Sequence, residues 1–195
     1  MDLGAHWDGA PRVGTHYLRP VITHTMRWSA EFAIACVSPA TGAVLRLLAA
    51  ATRARAVVEI GTGLGVSGLW LLDGLGPDAV LTSIDADPDL HAMARQAYAA
   101  AGHPSSRYRL LTGRAEVLLN RLTDAAYDLV FVDVAEQRPV WTDAAARLLR
   151  PGGLLLIHEP TDEDHARLTG PHWTPAELRP ELLAATREQP AHDQS

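Results

Sequence analysis

The residues with the clearest chemical potential lie in Glu59-Ile60-Gly61-Thr62-Gly63-Leu64-Gly65. Glycines at alternate positions let a backbone turn tightly and approach a ligand without Cβ clashes. The segment follows the apolar run Ala56–Ile60 and precedes a helical stretch opening at Val66-Ser67. The free N–H groups and partial positive charge of that helix start would point at the ligand. Two more carboxylates end apolar runs: Asp85 in Ser83-Ile84-Asp85-Ala86-Asp87, and Asp133 closing Tyr127–Asp133. Asp85 lies 24 residues after Gly61, where an acid can accept hydrogen bonds from ribose hydroxyls. Asp133 falls at the carboxyl edge of its strand, the edge that carries the ligand crevice in open α/β sheets. Asp87, just before Pro88, reads as a helix cap. Asp128, near the start of its strand, reads as structural.

Two ligand classes use such a loop. A dinucleotide fingerprint wants G-x-G-x-x-G directly after the strand. Counted from Gly61, the third glycine falls at Val66; the other frame, Gly63, Gly65 and Gly68, starts three residues past the strand. A pyrophosphate gains nothing from Glu59, whereas an ammonium does. The loop therefore favours the methionine end of S-adenosylmethionine over NAD, with a ligand-free structural turn as the bland alternative.

The elements that must hold these residues follow from periodicity. Short apolar runs at Ala56–Ile60, Ala79–Ile84, Tyr108–Leu111, Tyr127–Val132 and Gly153–His158 alternate with helical stretches at about 65–75, 88–101, 114–122 and 139–149. The runs barely alternate with polar residues, as in strands covered on both faces. The pattern predicts βαβ units and a doubly wound, mostly parallel α/β sheet. Pro151-Gly152-Gly153 is expected to end the fourth of these helices. Ahead of the sheet, residues 19–36 read as a helix with Val21, Ile22, Thr25, Met26 and Ser29 on one face. Ser38-Pro39 reads as an N-cap with Pro at the first helical position. Thr174-Pro175-Ala176-Glu177 has a capping-box form, so a short helix is expected near 175–187. One domain is expected, divided into a loose arm (1–18), a helical cap (19–51), a cofactor-binding core (56–159) and a short tail (160–195) with a frayed end at 188–195.

Composition removes whole classes. The chain of 195 residues is 47% hydrophobic and 21% charged, which excludes disorder throughout. No run of about 18 apolar residues is present, so no membrane span is expected. Asp2, His6, Asp8, Arg12, Arg19 and Arg27 break the first thirty residues, so no secretory segment is expected. A net charge of −6 argues against nucleic acid as a partner. The single Cys36 forbids an internal disulfide and suits a cytoplasmic setting. All 17 basic residues are arginine, so no lysine base or Schiff base is available.

Several motifs in order carry a resemblance. Val57–Leu72 (VVEIGTGLGVSGLWLL), Leu81–Asp87 (LTSIDAD), Ala94–Gly102 (ARQAYAAAG), Tyr127–Asp133 (YDLVFVD) and Leu148–Leu155 (LLRPGGLL) resemble the catechol/caffeoyl-CoA type of O-methyltransferase, and actinobacterial members in particular. Cys36–Gly42 is similar to that group's segment before the first strand. The resemblance implies a class I, Rossmann-like methyltransferase fold, S-adenosylmethionine as donor, a small-molecule hydroxyl (phenols among them) as acceptor, and a homodimer. It implies that Glu59, Gly61, Thr62, Gly63, Gly65 and Ser67 hold the methionine part, Asp85 the ribose, and Ala115 the adenine side. Val37 would contact the cofactor from the N-terminal segment, and Asp133 would sit beside the sulfonium and the acceptor.

The chain departs from that family in three places. Metal-dependent members carry Asp-Ala-Asp-Lys after the fourth strand; here it reads Asp133-Val134-Ala135-Glu136. Their Asp-Asn after the fifth strand is replaced by His158-Glu159. Asp133 with Glu159 could still offer oxygen ligands to a Mg²⁺ ion, but these departures argue against metal dependence. Only 35 residues follow Pro160, so the last two strands of the family are expected to be missing. Without a lysine, His158 is the foremost candidate base for the acceptor hydroxyl, ahead of His24 and Glu159. Trp28, Trp70 and Trp141 are candidates for an aromatic acceptor pocket. The function classes are an O-methyltransferase, a cofactor-binding protein of that fold without chemistry, and an NAD-type oxidoreductase.

Overall fold

The structure, a computed structural model, describes residues 19–134, 138–170 and 172–188. The expected arm at 1–18, most of the frayed end, and Ala135-Glu136 lie outside these residues. The helices α1 (Pro20–Glu31) and α2 (Pro39–Ala51) come first. Each begins with proline in its first turn, and Ser38 caps α2 by accepting from the Thr41 amide at 3.1 Å. Such a cap stabilises by about 1 kcal/mol. Ile22, Thr25 and Ser29 of α1 are buried, as the sequence spacing predicts.

The core alternates β1 (Ala56–Ile60), α3 (Val66–Gly74), β2 (Val80–Asp85), α4 (Pro88–Ala100), β3 (Tyr108–Thr112), α5 (Ala115–Leu119), β4 (Tyr127–Val132), α6 (Arg138–Leu148) and β5 (Leu149–His158). Five parallel strands stand in the order β3-β2-β1-β4-β5. Side chains alternate between the faces. Val57, Leu129 and Phe131 pack with Leu69, Trp70 and Tyr98 on one side. Val58, Ile60, Val130 and Val132 pack with Trp141, Ala145 and Leu148 on the other. Covering both faces is what makes these strands read as continuous apolar runs. At the lower edge, Asp128 accepts from the amides of Arg55 and Ala56 and from Arg150 Nε, a structural role.

Two expectations are overturned. The chain does have the last two strands. After α7 (Asp162–Leu168), β6 (Trp173–Arg179) and β7 (Leu182–Arg187) form an antiparallel hairpin that completes the order β3-β2-β1-β4-β5-β7-β6. No helix forms near 175–187: Pro175-Ala176 pairs with Ala185-Ala184, and Thr174 Oγ1 bonds Glu188 instead of capping. The capping-box pattern lost because Leu182–Ala185 are fully buried against β5. Pro175 is tolerated because β6 is the edge strand, where a missing N–H costs no ladder bond. Secondly, Pro151-Gly152-Gly153 lies inside β5 as a register irregularity opposite β4, and the helix stops earlier, at Leu148. Among the described residues no helix is long and apolar enough to cross a membrane.

Candidate active site

The crossovers leave the β1–α3, β2–α4 and β3–α5 loops at one edge of the sheet, together with the ends of β4 and β5. Two adjoining cavities there share Gly61, Asp85 and Val134. The larger, about 390 Å³, is walled by Ile84, Ala86, Ala115, Glu116 and Trp141. The smaller, about 210 Å³, is walled by Thr62, Gly63, Ser67 and Asp133, with Ile34, Ala35 and Cys36 from the segment between α1 and α2. Both lobes are mostly apolar; Thr62, Ser67 and Asp133 add polar side chains to the smaller, Arg114 and Glu116 to the larger, and Asp85 to both. A two-lobed, mostly apolar cleft with a few placed polar groups is the usual form of a small-molecule site.

The glycines divide into two kinds. Gly61 has φ +98° and a Cβ there would lie 2.2 Å from the Asp133 carbonyl oxygen, so the two loops close on each other only through a glycine. Gly63 (φ +49°) faces the cleft, with nothing nearer than Ile34 at 3.6 Å to a Cβ. Gly65 and Gly68 face away from it. A Cβ on Gly65 would lie 2.8 Å from the Tyr98 ring, and one on Gly68 would lie 1.9 Å from the Tyr98 phenol oxygen. Gly65 therefore packs α3 against α4 and does not line the cleft, and the Gly63–Gly68 dinucleotide frame dissolves into helix packing.

The acids are placed as follows. Asp85 lines both cavities, and its Oδ2 accepts from the amides of Thr62 and Gly63 at 3.0 Å each, tying the glycine loop to β2. Its Oδ1 accepts from Asp87 N, while Asp87 caps α4 by accepting from Asp89 N. Glu59 is fully buried behind Ser67: Ser67 Oγ donates to it at 2.6 Å and Ser83 Oγ at 2.5 Å. Burial, reinforced by the charges of Asp133 and Asp85, pushes its carboxyl up to about 8 against the serine hydrogen bonds. Asp133 Oδ1 meets His158 Nδ1 at 2.7 Å, across the ends of adjacent parallel strands.

The other candidates separate. Val37 is fully buried and lines neither cavity, its place there taken by Cys36. Trp70 is core, pressed on Gly42, and Trp28 meets the His24 ring at a tilt of 54° with centroids 4.4 Å apart, lining neither cavity. Of the three tryptophans only Trp141 lines it. Glu159, at φ +49°, is exposed, and its amide donates to Glu181 O. Among the described residues no group of three side chains is placed to hold a metal ion.

Sequence reasoning passed over four participants. Ser83, His91 and Thr112 extend the network around Glu59 and Thr62. Glu181, at the β6–β7 turn, accepts from Thr41 Oγ1 and Arg179 Nε, both at 2.7 Å, and joins the cap to the end of β5. A serine inside the buried run Leu81–Ile84 was the one signal available.

Comparison with known proteins agrees with this architecture. Residues 58–159, from within β1 to just past β5, match the family described as Methyltransferase domain. A Mycolicibacterium vanbaalenii protein named as an O-methyltransferase is 54% identical over 123 residues, 63% of this chain and 54% of that protein. A Mycobacterium avium protein of the same name is 46% identical over 149 residues, 76% of this chain and 64% of that protein. The chain thus spans little more than half the length of such relatives. A Corynebacterium glutamicum protein of known structure superposes with TM-score 0.82 at 25% identity, covering 90% of this chain and 93% of that one. The O-methyltransferase TomG of Streptomyces achromogenes, involved in tomaymycin synthesis and solved in complex with SAM, gives 0.79 at 24% identity, over 90% and 94%. Since the matched residues include Glu59, the glycine loop, Asp85, Asp133 and His158, the family and the cleft coincide, and the chain belongs to the methyltransferase-domain family.

Proposed function

We propose that this chain is an S-adenosylmethionine-dependent O-methyltransferase acting on a small-molecule hydroxyl. The observation that carries the reading is the Asp133–His158 pair, whose Asp133 lines the smaller lobe of the cleft. When bound, S-adenosylmethionine supplies an electrophilic methyl group. The chain's own residues then have three tasks. Ile84, Ala86, Ala115 and Trp141 accept the adenine, with Asp85 at the ribose between the lobes. Gly61, Gly63, Thr62 and Ser67, backed by Glu59, accept the amino-acid end. His158, oriented by Asp133, takes the acceptor's proton as the hydroxyl attacks in line.

Residues 19–51 act as a cap on a core at 56–159 within one domain. A homodimer belongs to the same reading, supported by the exposed Phe32, just past α1, and Leu47 of α2. A cytoplasmic setting is supported by the lone cysteine. Thermal unfolding with S-adenosylmethionine, S-adenosylhomocysteine and NAD tests the cofactor. At one hundred times Kd, binding stabilises by roughly 2.7 kcal/mol, a shift of about 5–10 °C at this size. A shift with the adenosyl ligands alone is expected. Turnover of phenols and catechols with radiolabelled donor tests the reaction; no methylated product from any hydroxyl acceptor would count against it.

A further inference from the structure

Beneath the cleft runs a hydrogen-bond chain whose direction follows from the hydrogens available. Ser67 and Ser83 each own one hydroxyl hydrogen and give it to Glu59, at Oε1 and Oε2. Ser83 must then accept from Thr62 Oγ1, 2.6 Å away. Thr62, its hydrogen spent, accepts from His91 Nε2 at 2.9 Å. His91 accordingly carries its proton on Nε2, and Nδ1 accepts from Thr112 Oγ1 at 2.7 Å. Burial holds the His91 imidazole below its usual value, hence neutral, as this assignment needs.

With both serines donating, Glu59 is ionised. A protonated Glu59 must donate to one of the two serines. Donation to Ser83 would reverse every bond down to Thr112. Donation to Ser67 reverses a single hydroxyl, and Ser67 lines the cleft. The proton of the neutral acid therefore belongs on Oε1, with the Ser67 O–H turned outward. The complete burial of Glu59 favours this state above all; Asp133 at the end of β4 and Asp85 at the end of β2 further oppose a negative charge, and the buried Tyr98 phenol of α4 stays neutral.

We propose that Ser67 and Glu59 form a proton-exchanging receptor for the α-ammonium of a bound amino-acid ligand. On binding, the Ser67 hydroxyl turns back onto Glu59 and offers its lone pairs to the ammonium. The Oε1–H bond breaks and the proton leaves through the cleft to a buffer base; the ligand keeps all of its N–H bonds. The chain from Thr112 through His91 holds Ser83 as a donor to Oε2, so that only Oε1 exchanges. This inference rests on the cleft's being an adenosyl-amino-acid site.

Calorimetric titration of the full chain with S-adenosylhomocysteine, in paired buffers of different ionisation enthalpy, counts the protons. At pH 7 close to one proton per ligand should be released, falling towards none above pH 9. Affinity should rise by up to tenfold per pH unit below about 8. A desamino analogue should release none from the unaltered protein, and Glu59→Gln should release none with either ligand. Nitrogen NMR of His91 should show the Nε2–H tautomer with and without ligand. Binding without proton release at pH 7, or a tautomer change on binding, overturns the proposal alone. Absence of any binding heat or thermal shift removes the adenosyl reading, and the proposal with it.

Discussion

Asp133 and His158 meet side by side at the ends of β4 and β5, Oδ1 to Nδ1 at 2.7 Å. A carboxylate only accepts, so Nδ1–H is the donor, and in the proposed reaction Nε2 is the nitrogen that takes the proton. Burial pulls the imidazole down, but the hydrogen bond and charge of Asp133, joined by Glu159 and Glu181, outweigh it and raise it above the ordinary histidine value. A base must be unprotonated to work. Activity should therefore climb with pH through a midpoint above the usual histidine range, and Asp133→Asn should move that limb to lower pH. His158→Ala should cut kcat by roughly 10²–10⁴ while the Kd for S-adenosylhomocysteine stays put. An unchanged kcat sinks the assignment.

The buried Glu59 makes the free protein less stable in alkali. Its folded value, about 8, lies above the unfolded carboxyl value of 4.5. Between these the folded state holds a proton that the unfolded state has lost, so stability falls as pH rises, by about 1.4 kcal/mol per unit. Thermal melts of the ligand-free protein from pH 5 to pH 8 should show a decline of roughly 3–5 °C per unit. Glu59→Gln should flatten it. Parallel curves for the two proteins would contradict the burial argument.

Tyr98 explains Gly68. A methyl group there would lie 1.9 Å from the phenol oxygen and 2.7 Å from Cζ. Gly68→Ala gains about 1 kcal/mol of helix propensity but overpacks α3 against α4, at about 1–3 kcal/mol or more. The melting temperature should drop, and Tyr98→Phe in the same chain should restore part of the loss. A neutral or stabilising Gly68→Ala would show that this contact is looser than described.

Glu181 binds the hairpin turn to the cap. Its hydrogen bond to Arg179, aided by Thr41, lowers its carboxyl to about 2. A depressed folded value stabilises above the unfolded carboxyl range and fades as pH falls towards 2. Glu181→Ala should cost about 1 kcal/mol at neutral pH, the pair being partly solvated, and the difference from the unaltered protein should close in acid. Melts at pH 7 and near pH 2 decide it.

The parallel core was legible because β1, β2 and β4 are buried on both faces and spell it out in apolar residues. Ser38-Pro39 and Asp87-Pro88 were legible because caps are local. The hairpin was not. β6 is exposed and carries Pro175, and Leu182-Leu183-Ala184-Ala185 has good helix formers; only pairing with β5 makes it a strand. The glycine loop was half legible. Positions needing φ > 0 show in the residue type, but whether a ligand or Tyr98 fills the space is decided by a ring about thirty positions away. Likewise the contacts of His91 with Thr62 and Thr112 follow from crossover geometry, to which no spacing rule points.

The placement of β7 between β5 and β6 has a consequence for synthesis. Among the described residues the outer edge of β5 pairs with a strand ending at Arg187, so that edge stays open until residue 187 has left the ribosome. A nascent chain ending near residue 170 would hold the β1–β5 sheet with the row of N–H and C=O groups at Leu154–His158 unmatched. Such an edge can recruit a neighbouring polypeptide. Translation speed over residues 160–188 thus becomes a variable in the yield of folded protein, independent of the stability of the finished fold.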